Sequence, residues 1–362
     1  MALEGGTRPL IPAVAGLTEQ VLATLEAKYG PQFAGLKADL PKQDIETLLS
    51  RIRSLSGVIG STKVHGLDGD GYKAMANDIC TEIGKIVQVR LPKGNNAYSE
   101  LVSWITGAPR THGVEIFTTN YDLLFEEAFE RVRAPYFDGF IGAREAFFDP
   151  ASVSGDQLSA RWTRLWKIHG SLGWKANQQG EVVRTGQPQA THLVFPEHLK
   201  YDQTQKAPYA ALLDRLRTFL STEDTLLVSV GFSYADTHIT ARIDEALAAN
   251  AAASVFAFQF QTLDKETCAT ELALRRPNFS VYARDKAVIS GVPAEWQAPS
   301  ELPTKDWGPI RRSYWEPHTD SQKAEFKLGA IEEFARFFAN SRSPQAFESP
   351  APVPAPPSAR SG

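Results

Sequence analysis

Short apolar runs rich in β-branched and aromatic residues recur along the second part of the chain. Each run spans five to seven residues between polar turn sequences, which is typical of strands buried on both faces of a sheet. The runs are VEIFT at 114–118, RLWKI at 164–168, TLLVSV at 225–230, SVFAFQF at 254–260 and FSVYA at 279–283. Helical patterns follow at 121–133, 236–249 and 264–275. Strands that alternate with helices predict a doubly wound α/β fold with a mostly parallel sheet.

Two segments interrupt this alternation. Residues 31–109 lack buried-strand runs and carry helical patterns, one starting near Asp44 and another over 71–90, so they predict an inserted helical layer. Residues 135–205 are rich in turn sequences and predict a small lobe with a hairpin at 177–180. The main domain is therefore expected to be discontinuous.

The predicted organisation follows from these interruptions. A catalytic α/β domain occupies 1–30 and 110–300, the helical insertion 31–109, a C-terminal loop and helix 301–342, and a proline-rich tail 343–362. An apolar stripe predicts an amphipathic helix over 321–340. Six prolines in twenty residues predict a disordered tail whose deletion leaves folding intact.

Composition narrows the class of protein. The 362 residues carry a formal net charge of −4, which argues against strong intrinsic nucleic-acid binding. Two cysteines, Cys80 and Cys268, cannot supply a disulfide framework or a four-thiolate zinc site, which fits a reducing cytoplasm. No run approaches the roughly 18 to 20 apolar residues that span a bilayer, and no signal peptide is recognisable at the start.

Polar sequences follow three of the apolar runs directly: TTNYD at 118–122, HGSL at 169–172 and GFSYAD at 231–236. In an open parallel sheet, ligands bind beyond the carboxyl ends of the strands, so these residues are candidates for the site. Each segment alone also has a structural interpretation. Asn120 or Asp122 could cap a helix, His169 could be a core histidine, and 231–233 could be an ordinary strand-to-helix turn.

Taken together, the three segments resemble the SIR2 family of NAD-consuming proteins, in particular its bacterial antiphage-defence branch. FTTNYDLLFEEA at 117–128 is similar to the family's TxNxD motif, KIHGSL at 167–172 to its K-x-HGS segment, and VGFSYADTHI at 230–239 to its G-[YF]-S-x-x-D motif. The resemblance covers roughly residues 5–290 and implies a Rossmann-like fold.

The resemblance implies an NAD glycohydrolase that cleaves the nicotinamide–ribose bond to give nicotinamide and ADP-ribose. In this interpretation His169 is the base, Asn120 positions water and ribose, Asp122 holds the Asn120 loop or the ribose, and Ser233 contacts the adenosine side. The residues implied in NAD binding lie in a glycine loop or at strand ends: Gly5, Gly6, Thr7, Thr119, Asp122, Gly231 and Ser233.

The chain departs from the family pattern at three points. The match to the GAGxS phosphate loop is only Gly5-Gly6-Thr7, and four residues precede it, so either the true start lies upstream or nucleotide binding is compromised. Thr119 stands where the motif usually has Gln. The zinc ribbon of deacetylating sirtuins is absent, and no HExxH motif replaces it, so we expect activity without a metal.

Three other functions remain open. A zinc-less NAD-dependent protein deacylase would share the fold, and a catalytically weak nucleotide sensor would bind NAD without turnover. An α/β-hydrolase is suggested by GFSYA at 231–235, which imitates a G-x-S-x-G elbow around Ser233.

His192 and His198 make a poor metal pair because they lie six residues apart in a turn-rich segment.

The resemblance also implies partners. An unrestrained NADase would kill its host, so such proteins are held idle and act within assemblies. A homo-oligomer is therefore expected, with a HerA-type ATPase or another defence protein as a separate partner.

His198→Ala, outside the three motifs, is expected to keep wild-type activity, in contrast to His169→Ala.

Overall fold

A computed structural model describes residues 3–4, 8–38, 40, 43–107, 110–185, 207–297, 315–317 and 324–341. The predicted glycine loop at 5–7, the pair His192 and His198 and the proline-rich tail at 343–362 lie outside these residues.

The described residues form a mixed α/β fold. The helices are α1 (Val14–Ala38), α2 (Ile45–Val58), α3 (Gly69–Val87), α4 (Ala97–Thr106), α5 (Leu124–Arg131), α6 (Pro150–Ser154), α7 (Tyr209–Ser221), α8 (Thr237–Ala249), α9 (Thr267–Arg275) and α10 (Ile331–Asn340). The strands are β1 (Leu3–Glu4), β2 (Arg8–Pro9), β3 (Glu115–Thr118), β4 (Tyr136–Phe137), β5 (Phe140–Ile141), β6 (Ala146–Phe148), β7 (Thr163–Lys167), β8 (Trp174–Ala176), β9 (Val182–Arg184), β10 (Leu226–Val230), β11 (Ser254–Phe258), β12 (Phe279–Tyr282), β13 (Lys286–Ile289), β14 (Val292–Glu295), β15 (Trp315–Pro317) and β16 (Ala324–Phe326).

All five apolar runs form strands, and they pair in parallel as predicted. One sheet has the order β3-β7-β4 and is parallel throughout. The other has the order β10-β11-β12-β13-β14, in which β10, β11 and β12 are parallel and the last two strands are antiparallel. Helices α7, α8 and α9 alternate with the strands of the second sheet. The fold is therefore the predicted Rossmann-like α/β class.

The prediction that every run is buried on both faces is wrong for three strands, one of which is β11, where half-buried and buried residues alternate. All five residues of β7 are buried, whereas those of β3 are half-buried and Leu226 in β10 is exposed. For β3 and β10 the physical reason is their position, because they are edge strands of their sheets within the described residues, whereas β7 has a neighbour on each side. Edge position does not explain β11, which pairs with β10 and β12. An edge strand has a partner on one side only.

Helices fill the described part of residues 31–109, which contains no strand and one isolated bridge. The Asp44 side chain accepts a hydrogen bond from the Thr47 amide (2.8 Å) and caps α2, where the sequence predicts a helix start. Helices α1, α2 and α3 share one apolar core. Because α1 begins at residue 14 and continues through residue 31, the helical layer extends further toward the N-terminus than the predicted boundary. The division into domains stays a prediction.

The turn-rich segment forms a small antiparallel sheet in the order β5-β6-β9-β8. The predicted hairpin at 177–180 is present between β8 and β9: the Asn177 amide donates to the Glu181 carbonyl (2.9 Å), and Gly180 has a φ of +81°. Glycine adopts this left-handed conformation without steric cost. The lobe packs its aromatic side chains against Trp166 of β7.

The predicted helix over 321–340 is wrong in its first half. Residues 324–326 form β16, which pairs with β15, and the helix starts only at Ile331. The ring of Phe326 lies against those of Tyr282 and Trp296, which holds this segment extended. Gly329 passes so close to the Gln259 carbonyl that a Cβ would collide with it. Tertiary packing therefore overrides the helical pattern here.

The helix α10 packs against α4, with the ring of Phe338 edge-on to that of Trp104 (4.7 Å between centroids). Within the ranges that the structure describes, no helix has both the length and the apolar character required to cross a membrane.

Candidate active site

A cavity of about 430 Å³ lies at the carboxyl ends of three strands. Asn120 follows β3, His169 follows β7, and Gly231 follows β10, and all three residues line the cavity. We call it the sheet-edge cavity. The sequence predicts this location, because parallel strands present their carboxyl ends at one edge of the sheet. Every predicted site residue within the described ranges lines it: Thr119, Asn120, Asp122, His169, Gly231 and Ser233.

His169 is fixed by a carboxylate. It is 7% exposed, and its Nε2 lies 2.8 Å from Oδ2 of Asp236, 67 residues further along the chain. The ring of Tyr121 lies 6.5 Å from the imidazole, between ring centroids. The pair joins the turn after β7 to the N-cap of α8, so His169 is held by a side chain from the segment that follows β10.

Asp236 serves two groups at once. Its Oδ1 accepts from the amides of His238 (2.9 Å) and Ile239 (3.1 Å), which caps α8. Burial by itself would raise the pKa of Asp236, but the hydrogen bond and charge of His169, together with those two amides, lower the pKa below its ordinary value. Asp236 is therefore a carboxylate that can accept a hydrogen bond from the imidazole.

This carboxylate sets the tautomer of the imidazole. A carboxylate only accepts, so Nε2 carries the hydrogen that it donates to Asp236. The neutral ring then has its lone pair on Nδ1, for which the described residues provide no hydrogen-bond partner. His169 therefore has the arrangement of a general base that acts through Nδ1.

Asn120 is held in a different way. The residue is exposed, and its backbone N–H donates to the Thr118 hydroxyl (3.1 Å). Its side chain forms a hydrogen bond with Tyr98. Burial, followed by the charge of Asp122, raises the pKa of Tyr98 well above its ordinary value, so the phenol keeps its proton. Asn120 thus presents a polar side chain to the cavity beside a neutral hydroxyl.

A buried lysine binds main-chain carbonyls around Asn120. Lys167, whose side chain is 2% exposed, directs its Nζ at the carbonyls of Asn120 (3.4 Å) and Asp122 and at Oε1 of Glu126 (3.3 Å). The Asp122 carboxylate, also buried, accepts from the amide of Leu124 (3.0 Å), the first residue of α5. The Asp122 side chain thus binds the start of α5, and its role toward the Asn120 loop or the ribose stays a prediction.

The turn after β10 forms the opposite wall. Gly231 has a φ of +70°, and the Phe232 carbonyl accepts from the Gln259 side chain (2.8 Å). Ser233 is exposed, and its hydroxyl accepts from the Ala235 amide (3.4 Å). In a nucleophile elbow the serine itself occupies the strained position. Here the left-handed residues are Gly231 and Tyr234, so the geometry does not support Ser233 as a nucleophile.

The N-terminal segment forms a further part of the wall. Leu10 to Val14 line the cavity, and α1 begins at Val14. The amides in the first turn of a helix have no partner within the helix and favour an anion. This end of α1 is therefore suited to a phosphate group.

A profile of SIR2-like domains matches residues 114–280, which include all three motifs and the strands that carry them. The chain contains a SIR2-like domain. This family consists of NAD-dependent enzymes, so the function of the chain is related to NAD. A search of curated proteins gives no match. The match begins at residue 114, after the helical layer and the predicted glycine loop.

Sequence reasoning missed two residues that hold the loops of the site. Asp236 is the final residue of the GFSYAD segment, and Lys167 opens the KIHGSL segment, so both stand in the motifs without a role assigned to them. Their partners are 67 and 45 residues away in the chain. A carboxylate six residues after a strand and a lysine at the last position of a buried strand were the available signals.

A second cavity of about 860 Å³ is lined by Lys167, which does not line the sheet-edge cavity. Glu126, Ser171 and Lys175 are among its lining residues, and Val87 lines both cavities. Burial raises the pKa of Glu126 to about 7, against the opposing charge of Lys167, and Glu126 Oε2 has no partner. Among the described residues, no group of three or more His, Cys, Asp or Glu side chains is placed to hold a metal ion.

Proposed function

We propose that the protein is an NAD glycohydrolase that releases nicotinamide and ADP-ribose. The observation that carries the proposal is the His169–Asp236 pair, placed beside Asn120 in the sheet-edge cavity of a SIR2-like domain. Cleavage of NAD by water needs a base of fixed tautomer and a polar side chain that orients the sugar. The cavity offers both groups.

In the proposed reaction water is the nucleophile. Its oxygen bonds to the ribose carbon, and the bond to the nicotinamide nitrogen breaks with its electron pair going to nicotinamide. The proton lost by water goes to Nδ1 of His169, and Asp236 stabilises the resulting imidazolium. Asn120 orients water and ribose, while Gly231 and Ser233 face the adenosine side, and the first turn of α1 faces the pyrophosphate.

The test is nicotinamide release by the purified protein, measured together with NAD affinity. His169→Ala should lower turnover about 100- to 10,000-fold with NAD affinity retained, because a general base contributes about that much. His112→Ala is the matched control: His112 is exposed and precedes β3, away from the carboxyl ends. Full turnover of His169→Ala would contradict the mechanism.

The same assay separates the other candidates. A nucleotide sensor would bind NAD without releasing nicotinamide, and a deacylase would release nicotinamide only when an acylated peptide is supplied. Labelling of Ser233 by a serine-reactive probe would point to a hydrolase instead.

The resemblance to the antiphage branch supports a wider proposal. The protein would deplete NAD in the cytoplasm during phage infection, as a homo-oligomer restrained by a HerA-type ATPase or another defence partner. Cellular NAD measured before and after infection, with His169→Ala as the inactive comparison, tests the role. Sedimentation with and without the partner tests the assembly.

A further inference from the structure

Lys167 stands behind the proposed site and not in it. Its buried side chain lines the second cavity and is absent from the wall of the sheet-edge cavity. Its ammonium nevertheless reaches three acceptors: the Asn120 and Asp122 carbonyls and the Glu126 carboxylate. An ammonium has three N–H donors, so this set satisfies it completely.

The carbonyl of Tyr121, between those two, is also held. It accepts from the Leu172 amide (2.9 Å). Three consecutive carbonyls, of residues 120, 121 and 122, are thus all bound by the segment 167–172 that carries His169. The loop of Asn120 is locked to the loop of His169 through its main chain, while Asn120 itself lines the cavity beside Tyr98.

From this geometry we infer that Lys167 is a positioning residue for Asn120, with Glu126 as its counter-ion. The inference rests on the proposed function, because it gives Asn120 the task of orienting water and ribose. Lys167 touches neither substrate nor reacting atoms. It fixes the distance between Asn120 and His169, and a displacement of about 1 Å at such a site can lower a rate about 100-fold.

The test uses the double variant Lys167→Met/Glu126→Gln in the full chain. Removing both charges leaves no unpaired ion in a buried site, and the methionine keeps most of the lysine's volume. We expect turnover to fall about tenfold to hundredfold with NAD affinity within about twofold. Lys175→Met is the control, since that exposed lysine lines the same second cavity and should keep wild-type turnover.

Two further readouts separate positioning from general damage. When the double substitution is added to Asn120→Ala, turnover should fall further by less than about twofold. The reason is that the effects of residues that act through one another are not additive. Amide hydrogen exchange of residues 117–124 should accelerate in the double variant, while that of 279–282 should not change. A full additive loss in the Asn120→Ala background would overturn the inference.

Different measurements contradict the proposed function and this inference. A wild-type protein that releases no nicotinamide contradicts the proposed function, and hydrogen exchange at 117–124 still decides whether Lys167 fixes the loop. Unchanged exchange there overturns the inference in either case. If the double variant does not fold, Lys167→Gln, which keeps one N–H-donating group, should show the same faster exchange at 117–124, and wild-type exchange in it would count against the inference.

Discussion

The two loops that meet at the sheet-edge cavity are held by opposite means. His169 is buried, and its side chain is bound directly by Asp236, whereas Asn120 is exposed and its loop is bound through main-chain carbonyls by Lys167. The difference matches the tasks proposed for them. A base needs a fixed tautomer and therefore a side-chain partner, while a residue that orients substrate needs a fixed backbone and a side chain that reaches the cavity.

The strongest way to break this comparison is to remove the exposed side chain. Asn120→Ala should lower nicotinamide release about 100-fold or more, a loss similar to that of His169→Ala despite the difference in burial, because orientation of the reactants carries much of a barrier. The free energy of unfolding should fall by only about 0.5 to 1.5 kcal/mol, since the lost side chain is exposed and the hydrogen bond that it loses is the one to Tyr98. Release close to that of wild type, measured with NAD affinity, would show that only the His169 loop is functional.

The second change, at Asp236, alters only the contact that holds the buried His169. Asp236→Asn keeps a good cap for α8, because asparagine and aspartate are about equally favoured there. Its amide can donate to Nε2 of His169, which moves the ring proton to Nδ1 and removes the proposed base. We expect turnover to fall on the order of tenfold to hundredfold, with a melting temperature near that of wild type.

The matched control for that change is Asp68→Asn, which alters the cap of α3, far from the site in the fold. It should keep both stability and turnover. If Asp236→Asn also keeps wild-type turnover, Asp236 is a helix cap and nothing more.

A smaller effect, on the pH dependence of stability, is expected from Glu126, which pairs with Lys167 beside the Asn120 loop. Burial raises the pKa of Glu126 from an ordinary value of 4.5 to about 7, so the folded state keeps this proton to a higher pH than the unfolded state. Unfolding releases the proton between these values, and the stability that Glu126 contributes therefore falls as pH rises from 4.5 to about 7. The fall is at most about 3 kcal/mol.

Glu126→Gln removes this titration. The free energy of unfolding, measured by denaturant titration at several pH values, should vary less with pH in the variant than in wild type over that window. Parallel curves would show that the proton of Glu126 does not distinguish the folded from the unfolded state.

No effect is expected from a chelator. The sequence has only two distant cysteines and no HExxH motif, and the nicotinamide of NAD is already a cationic ring that leaves as the neutral base, so its departure does not require a Lewis acid. Nicotinamide release should be unchanged after treatment with EDTA. Loss of activity that stoichiometric zinc restores would contradict this expectation.

Local patterns were sufficient for much of the fold. The five apolar runs predict five strands, and Asp44 predicts the start of α2, because strand burial and helix capping depend on residues only a few positions apart. The same reasoning failed at residues 324–326, where the apolar stripe is helical in period but Phe326 is held extended by Tyr282 and Trp296. Aromatic packing between distant segments decided that element.

For the site, the sequence by itself determined which residues stand at strand ends: Asn120, His169 and Ser233 follow apolar runs in motifs that resemble the SIR2 family. Only the tertiary structure decided that Asp236 binds His169 and that Lys167 holds the Asn120 loop. These contacts join residues 67 and 47 positions apart. Such pairs depend on the order and register of strands in two sheets, which are set by the packing of the whole core and not by any local pattern.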